Sequence, residues 1–244
     1  MRIQLEVDYV SQYFFSPVYH LDSRLMALEM VGRFQREGGS LSIPQEILLG
    51  ALNHQHKQAL LREQLAILKD KSAWFINNRV IVALKIDHTL TEILINDALL
   101  RHEFRSLPFL QLEINEHFPD ISHGRDNPDL MKLSQSFHLW LDNFGAGNVN
   151  MKPFYDGVIS CVKMDAGFIN KLLIRPVSVS IVNPMLQVMK KQCPSLKVVA
   201  KGVDNIASFE RVFELDVNAV QGQLWSPLPP EALDNALMPV ACYG

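Results

Sequence analysis

Seven separate stretches of this chain end a β-rich run on a charged or amide side chain. They are Glu29 in LEMVGR, Lys85 in ALKID, Glu113 with Glu116 in LEINE, Asp142 with Asn143 in LDNFGAG, Lys163 with Asp165 in VKMDAGFI, Lys201 with Asp204 in AKGVDN, and Gln221 at the head of QGQLWSPLPP. A set rich in Glu and Asp is the donor set that hard divalent cations require, because they take several oxygen ligands, chiefly carboxylates. Such ions neutralise a phosphate under attack and turn bound water into hydroxide. Lysine acts the other way: a protonated ammonium has donors and no acceptor, so it pairs with a carboxylate and repels a metal. One such residue alone reads as a solvated strand end. The same pattern at seven strand ends argues for one shared pocket.

For these side chains to meet, the strands that carry them must aim their C-terminal ends at one place. Residues 13–21 and 24–34 read as two strands in hairpin relation across the turn-like Asp22-Ser23. Strand-like runs follow at 80–86, 109–114, 138–141, 157–164, 196–200 and 219–224, with helical patterns between them, for example at 54–75, 128–137, 179–192, 207–215 and 230–237. The residues 38–40, Gly-Gly-Ser, and Pro44 mark a loop and a helix start. About eight strands alternating with helices predict an α/β fold, a (β/α)8 TIM-like barrel whose first two strands are antiparallel. In that architecture the C-terminal strand ends build the site. No linker is visible, so a single domain over 1–244 is expected, with its core at about 13–238.

Bulk properties exclude several classes. The 244 residues are 48% hydrophobic and carry a formal net charge of −3, which offers no electrostatic footprint for direct nucleic-acid binding. Cys161, Cys193 and Cys242 are far apart and form no CxxC pair, which points to a reduced, cytoplasmic setting. The opening MRIQLEVDYV places Glu6 and Asp8 where a secretory signal needs an apolar run, and no stretch is apolar enough to span a membrane. Minor motifs fail: His102-Glu103 begins a zincin pattern that Ser106 breaks, and Gly145 with Gly147 lacks the third glycine of a dinucleotide fingerprint. His54 and His56 read as surface residues. Trp74, Trp140 and Trp225, and the pair Met185 and Met189, read as packing groups.

Taken in order, LEMVGR, LEINE, LDNFGAG, VKMDAGFI, AKGVDN and QGQLWSPLPP resemble the motif series of EAL-domain proteins, from Phe15 to about Leu237. The resemblance implies an EAL-type barrel and, for active members, hydrolysis of cyclic di-GMP with Mg²⁺ or Mn²⁺ ions held by carboxylates, one Asn and one Lys. Against that pattern Glu29, Glu113, Glu116, Asp142 and Lys163 are retained. The Asn has become Lys85, the second Asp of the D-D pair Asn143, the first Glu of A-E-G-V-E Lys201, and its second Glu the shorter Asp204. Two ligand positions thus become cations and a third loses its charge. A unit charge about 4 Å from a divalent ion costs roughly 8 kcal/mol at an effective dielectric of about 20, an upper figure because a lysine can swing away. The expectation is that two ammonium groups stand in for the lost ions, with no metal, no cofactor and no hydrolysis. On the substrate side Arg33, which would sit near a phosphate, remains. Phe15-Ser16-Pro17 replaces Y-Q-P, and Gln223 replaces the aromatic after Gln-Gly, which argues against cyclic di-GMP binding. The segments FFSPV, LEINE, NFGAG and QGxLWxPxP are similar to degenerate members that bind the flagellar activator FlhDC and keep it from DNA. The expected function is therefore a catalytically inactive regulator acting by protein–protein contact on a FlhD/FlhC-type transcription activator. A non-hydrolysing cyclic di-GMP receptor and a weak phosphodiesterase are the alternatives.

Overall fold

A computed structural model of the chain describes residues 2–4, 8–36, 42–145, 147, 149–174 and 176–238. Glu6, the loop expected at 38–40 and Cys242 lie outside the described residues. Ten strands follow in chain order: β1 (Arg2–Gln4), β2 (Asp8–His20), β3 (Leu25–Arg36), β4 (Ser42–Pro44), β5 (Ile81–Lys85), β6 (Leu110–Asn115), β7 (Leu139–Phe144), β8 (Ile159–Met164), β9 (Lys197–Lys201) and β10 (Ala219–Gln221). They form one sheet in the order β1-β2-β10-β9-β8-β7-β6-β5-β3-β4, and a further β2–β3 pairing closes eight of them into a barrel. From β3 through β10 the barrel strands are parallel. β2 is antiparallel to both of its barrel neighbours, β3 and β10. The expected α/β barrel with an antiparallel first pair is the observed fold.

The hairpin has a local cause. Ser23 takes a left-handed backbone (φ 65°), and the Asp22 side chain accepts from the Arg24 amide at 3.1 Å, so the chain reverses tightly. β5 and β7 to β10 read as near-continuous apolar runs because parallel strands are covered on both faces. Along each barrel strand alternate residues point inward. Ala27, Ala83, Trp140, Cys161, Val199 and Ala219 form a buried interior layer. Two residues further along their strands stand Glu29, Lys85, Asp142, Lys163, Lys201 and Gln221. Period two therefore stacks an apolar layer directly beneath a charged one.

The helices outside are started by side-chain caps, which is why Asn and Asp recur after strands. Asn53, Asp87, Asp97, Asn127 and Asn205 each accept a backbone N–H at a helix start. Several elements differ from the sequence expectation, among them β7, which runs on to Phe144, and the helices expected at 128–137 and 207–215, which end at Ser134 and Val212. The single helix expected at 54–75 is two, His54–Asp70 and Ser72–Asn78, broken at Lys71. The last barrel strand stops at Gln221 because the chain folds back there, with the Leu224 amide donating to the Val203 carbonyl at 3.2 Å. The segment Pro230–Leu237 is a 3-10 helix rather than an α-helix. β1 and β4, too short to register as strands by alternation, extend the β2–β3 hairpin beyond the barrel.

Candidate functional site

Glu29, Lys85, Glu113, Asp142, Lys163, Lys201 and Gln221 come from seven different strands and meet in one network. Lys163 Nζ donates to Glu29 Oε2 at 2.6 Å and to both Glu113 oxygens at 2.9 and 3.1 Å. Lys201 Nζ donates to Asp142 Oδ1 at 2.6 Å and to Asn143 Oδ1 at 2.8 Å. Lys85 Nζ stands between the carboxylates, 3.0 Å from Asp142 Oδ2, 3.4 Å from Glu29 Oε1 and 3.7 Å from Glu113 Oε1. Gln221 Nε2 donates to Glu29 Oε2 at 2.7 Å and to Ser16 Oγ at 3.1 Å. Three ammonium groups thus face three carboxylates. Glu113, Asp142 and Lys163 are wholly buried, so pairing is what makes their charges tolerable.

The electrostatics follow from burial and from these neighbours. Burial alone would raise the Glu29 carboxyl, but Lys163 and then Lys85 outweigh it and hold it down at about 2. Asp142 is held below the carboxylate range in the same way, by Lys163, Lys85 and Lys201 against its burial. Glu113 goes the other way, to about 7: burial and the adjacent Glu29 carboxylate raise it more than Lys163 and Lys85 lower it. Lys85 and Lys163 are both raised, because the surrounding carboxylates overcome the burial that would discharge them.

The remaining sequence-derived positions divide. Asn143 joins the network through Lys201 and holds a left-handed backbone (φ 61°), a conformation Asn tolerates. Glu116 is buried just past β6. Asp165 Oδ1 instead accepts the Phe168 amide at 2.8 Å, which caps the helix Ala166–Ile174. Asp204 is exposed and accepts the Gln223 amide at 2.8 Å, tying the loop after β9 to the loop after β10. Arg33 is exposed, four residues beyond Glu29 on β3, and lays its guanidinium over the Phe14 ring at 5.7 Å from the centroid. Glu46, in the first turn of the helix Gln45–Leu49, was not singled out from the sequence, yet its carboxylate comes to 3.7 Å from Lys85. Its signal was an acidic residue just after Pro44, a helix-start pattern with no mark of a pocket.

The side groups behave as packing elements. Trp140 lies in the buried interior layer, Trp225 packs between Tyr19 and Phe209, and Trp74 donates to Asp234 at 2.6 Å. Met189 is buried and Met185 packs partly against the core. Glu103 pairs with Lys69 at 2.6 Å. Among the described residues no helix is long and apolar enough to cross a membrane.

The donor set does not fit a pair of divalent ions. Both Asp142 oxygens already face an ammonium, at 2.6 and 3.0 Å, and Lys85 occupies the space that three carboxylates share. Among the described residues no group of three or more His, Cys, Asp or Glu is arranged to hold a metal ion.

Comparison with known proteins agrees with this architecture. The EAL domain family model matches residues 9–228. The anti-FlhC(2)FlhD(4) factor YdiV of Salmonella arizonae is 32% identical over 233 residues, covering 96% of this chain and 98% of that protein. The putative anti-FlhC(2)FlhD(4) factor YdiV of Escherichia coli K12 is 30% identical over 94% of this chain and 96% of its own length. A crystal structure of the EAL-like domain protein YdiV superposes with a TM-score of 0.86 at 27% identity, over 94% of this chain and 97% of that one. With its barrel closed by an antiparallel strand and its motifs matched over most of its length, the chain belongs to the EAL domain family.

Proposed function

We propose that this chain is a non-hydrolytic EAL-domain regulator that acts by binding a FlhD/FlhC-type transcription activator, and that its strand-end pocket is a vestige of a metal site. The observation that carries the reading is the self-neutralised cluster, in which Lys85 and Lys201 stand as cations against the two oxygens of Asp142 where active relatives need ligands. The near full-length similarity to proteins named as anti-FlhC(2)FlhD(4) factors supports the choice of partner. A barrel relieved of its reaction still offers a rigid, shaped surface, and function resides in sites placed on a fold rather than in the fold itself. Because the pocket supplies its own cations, partner binding needs neither nucleotide nor divalent metal.

Co-purification with FlhD and FlhC of the same host, in EDTA and without nucleotide, tests this. A stable complex is expected for the wild type and for a folded Glu29→Ala variant. No complex, or one that forms only with cyclic di-GMP and metal, overturns the reading. In parallel, cyclic di-GMP incubated with the protein and Mn²⁺ is expected to remain intact by chromatography. Enzyme-dependent linear pGpG would contradict the vestigial pocket.

A further inference from the structure

We propose, resting on the functional reading above, that the helix Ile206–Val212 after β9 is the face by which this chain holds its partner, and that it takes a helical segment with an apolar strip flanked by lysines or arginines. Ile206 and Phe213, the residue that caps the helix, are each half exposed. They stand seven positions apart, which puts them on one side of the helix and roughly 10 Å apart along its axis. Among the described residues the exposed large apolar side chains of the other α-helices, Ile47, Ile76, Leu99, Tyr155 and Val188, stand one to a helix, as scattered surface residues ordinarily do.

Phe213 is held in place. Its ring meets Phe209 edge-on at 5.2 Å, Phe209 meets Trp225 edge-on at 5.7 Å, and Trp225 lies against Tyr19 at 5.0 Å. Phe209, Trp225 and Tyr19 are buried, so a ladder of rings fixed in the core carries an aromatic side chain to the surface. An aromatic group already fixed loses little freedom on binding, which is the property of an interface anchor.

Charge selects the partner. Glu210 lies between Ile206 and Phe213 on the same side of the helix, and Asp204 and Glu214 flank the strip at its two ends. All three carboxylates are exposed, and none forms an ion pair among the described residues. Arg211, the cation of the last turn, stands five positions from Ile206, about 140° round the helix. Glu210 and Glu214 also sit at the C-terminal end, where the helix dipole favours cations and opposes carboxylates. A lysine or arginine brought by a partner relieves both, while an apolar strip beside it covers Ile206 and Phe213. A basic amphipathic helix carries the two together on one face.

The affinity of FlhD and FlhC of the same host for the wild type and for three variants, measured in EDTA at low and at high salt, tests this. Phe213→Ala is expected to weaken binding about tenfold or more. The double change Glu210→Lys, Glu214→Lys should weaken it as much. It should also remove the loss of affinity that salt causes in the wild type, because the attraction that ions screen is then gone. Leu99→Ala, which trims a comparably exposed apolar side chain on another helix, should bind as the wild type does. If Phe213→Ala melts at a lower temperature than the wild type, the double variant, changed only at exposed carboxylates, decides by itself. Wild-type affinity in both Phe213→Ala and the double variant, or a loss in Leu99→Ala as large as in Phe213→Ala, overturns this proposal and leaves the functional reading standing. No binding by the wild type overturns both.

Discussion

Lys85 Nζ lies 3.0 to 3.7 Å from Asp142, Glu29 and Glu113, the position a shared cation would take among three carboxylates. Its neighbour Lys201 blocks the other oxygen of Asp142, so removing either lysine alone leaves the pocket occupied. Calorimetry is therefore expected to detect Mn²⁺ binding by the triple variant Lys85→Asn, Asn143→Asp, Lys201→Glu and by none of the single changes, since residues sharing one site act non-additively. Tight binding by Lys201→Glu alone would contradict this. The same residues give stability a two-sided pH dependence. Glu29 and Asp142 have folded pKa values below the unfolded ones, so they contribute stability that is present above about pH 4.5 and is lost as pH falls towards about 2. Glu113 is raised to about 7, so its contribution is present below about pH 4.5 and is lost as pH rises through 7. Thermal melts of Glu113→Gln between pH 5 and 8 should show a flatter decline than wild type. An unchanged slope would refute the assignment.

At the scale of elements, two positions carry geometry that the site borrows. Gly222 follows β10 where the chain turns onto the loop after β9, and a Cβ there would lie 2.1 Å from the Val203 carbonyl oxygen. Backbone cannot yield as a side chain can, so Gly222→Ala is expected to cost about 1–3 kcal/mol or more in chemical denaturation. A neutral result would mean that the loops separate freely. Asp165 belongs to a helix start rather than to the charged cluster. Asp165→Ala should lower stability by about 1 kcal/mol, and Asp165→Asn should recover most of it because Asn also caps. If Asn and Ala were equally damaging, the charge and not the cap would be the point.

Across the whole molecule, closure makes the cluster a structural element in its own right. The barrel interior holds small and apolar side chains in one layer and six paired charges in the next, and β2 seals the ring through Ser16, which meets Gln221 across the seam. A metal-dependent barrel would lose stability when its ions are stripped. Here the melting temperature is expected to be the same in EDTA and in Mn²⁺, by calorimetric scan. A shift of several degrees on chelation would restore the metal to the account. Glu29→Gln, by contrast, leaves Lys163 and Lys85 short of a partner inside the ring and is expected to destabilise the protein by about 3–5 kcal/mol.

Much of this was legible in the residues themselves. Apolar runs alternating with helical patterns indicated the barrel, and the recurrence of charge at strand ends indicated the pocket, because period two and the C-terminal-end rule are local properties of strands. The mixture of Lys85, Lys201 and retained carboxylates also announced a pocket balanced by its own cations. Which ammonium meets which carboxylate was not legible, because that depends on strand order, register and closure between residues as far apart as Glu29 and Lys163. Nor was the diversion of Asp165 and Asp204 to backbone amides, the stacking of Arg33 on Phe14, or the approach of Glu46 to Lys85. A one-dimensional pattern states which face a side chain takes. Only the closed ring brings the ends of distant strands within hydrogen-bonding distance.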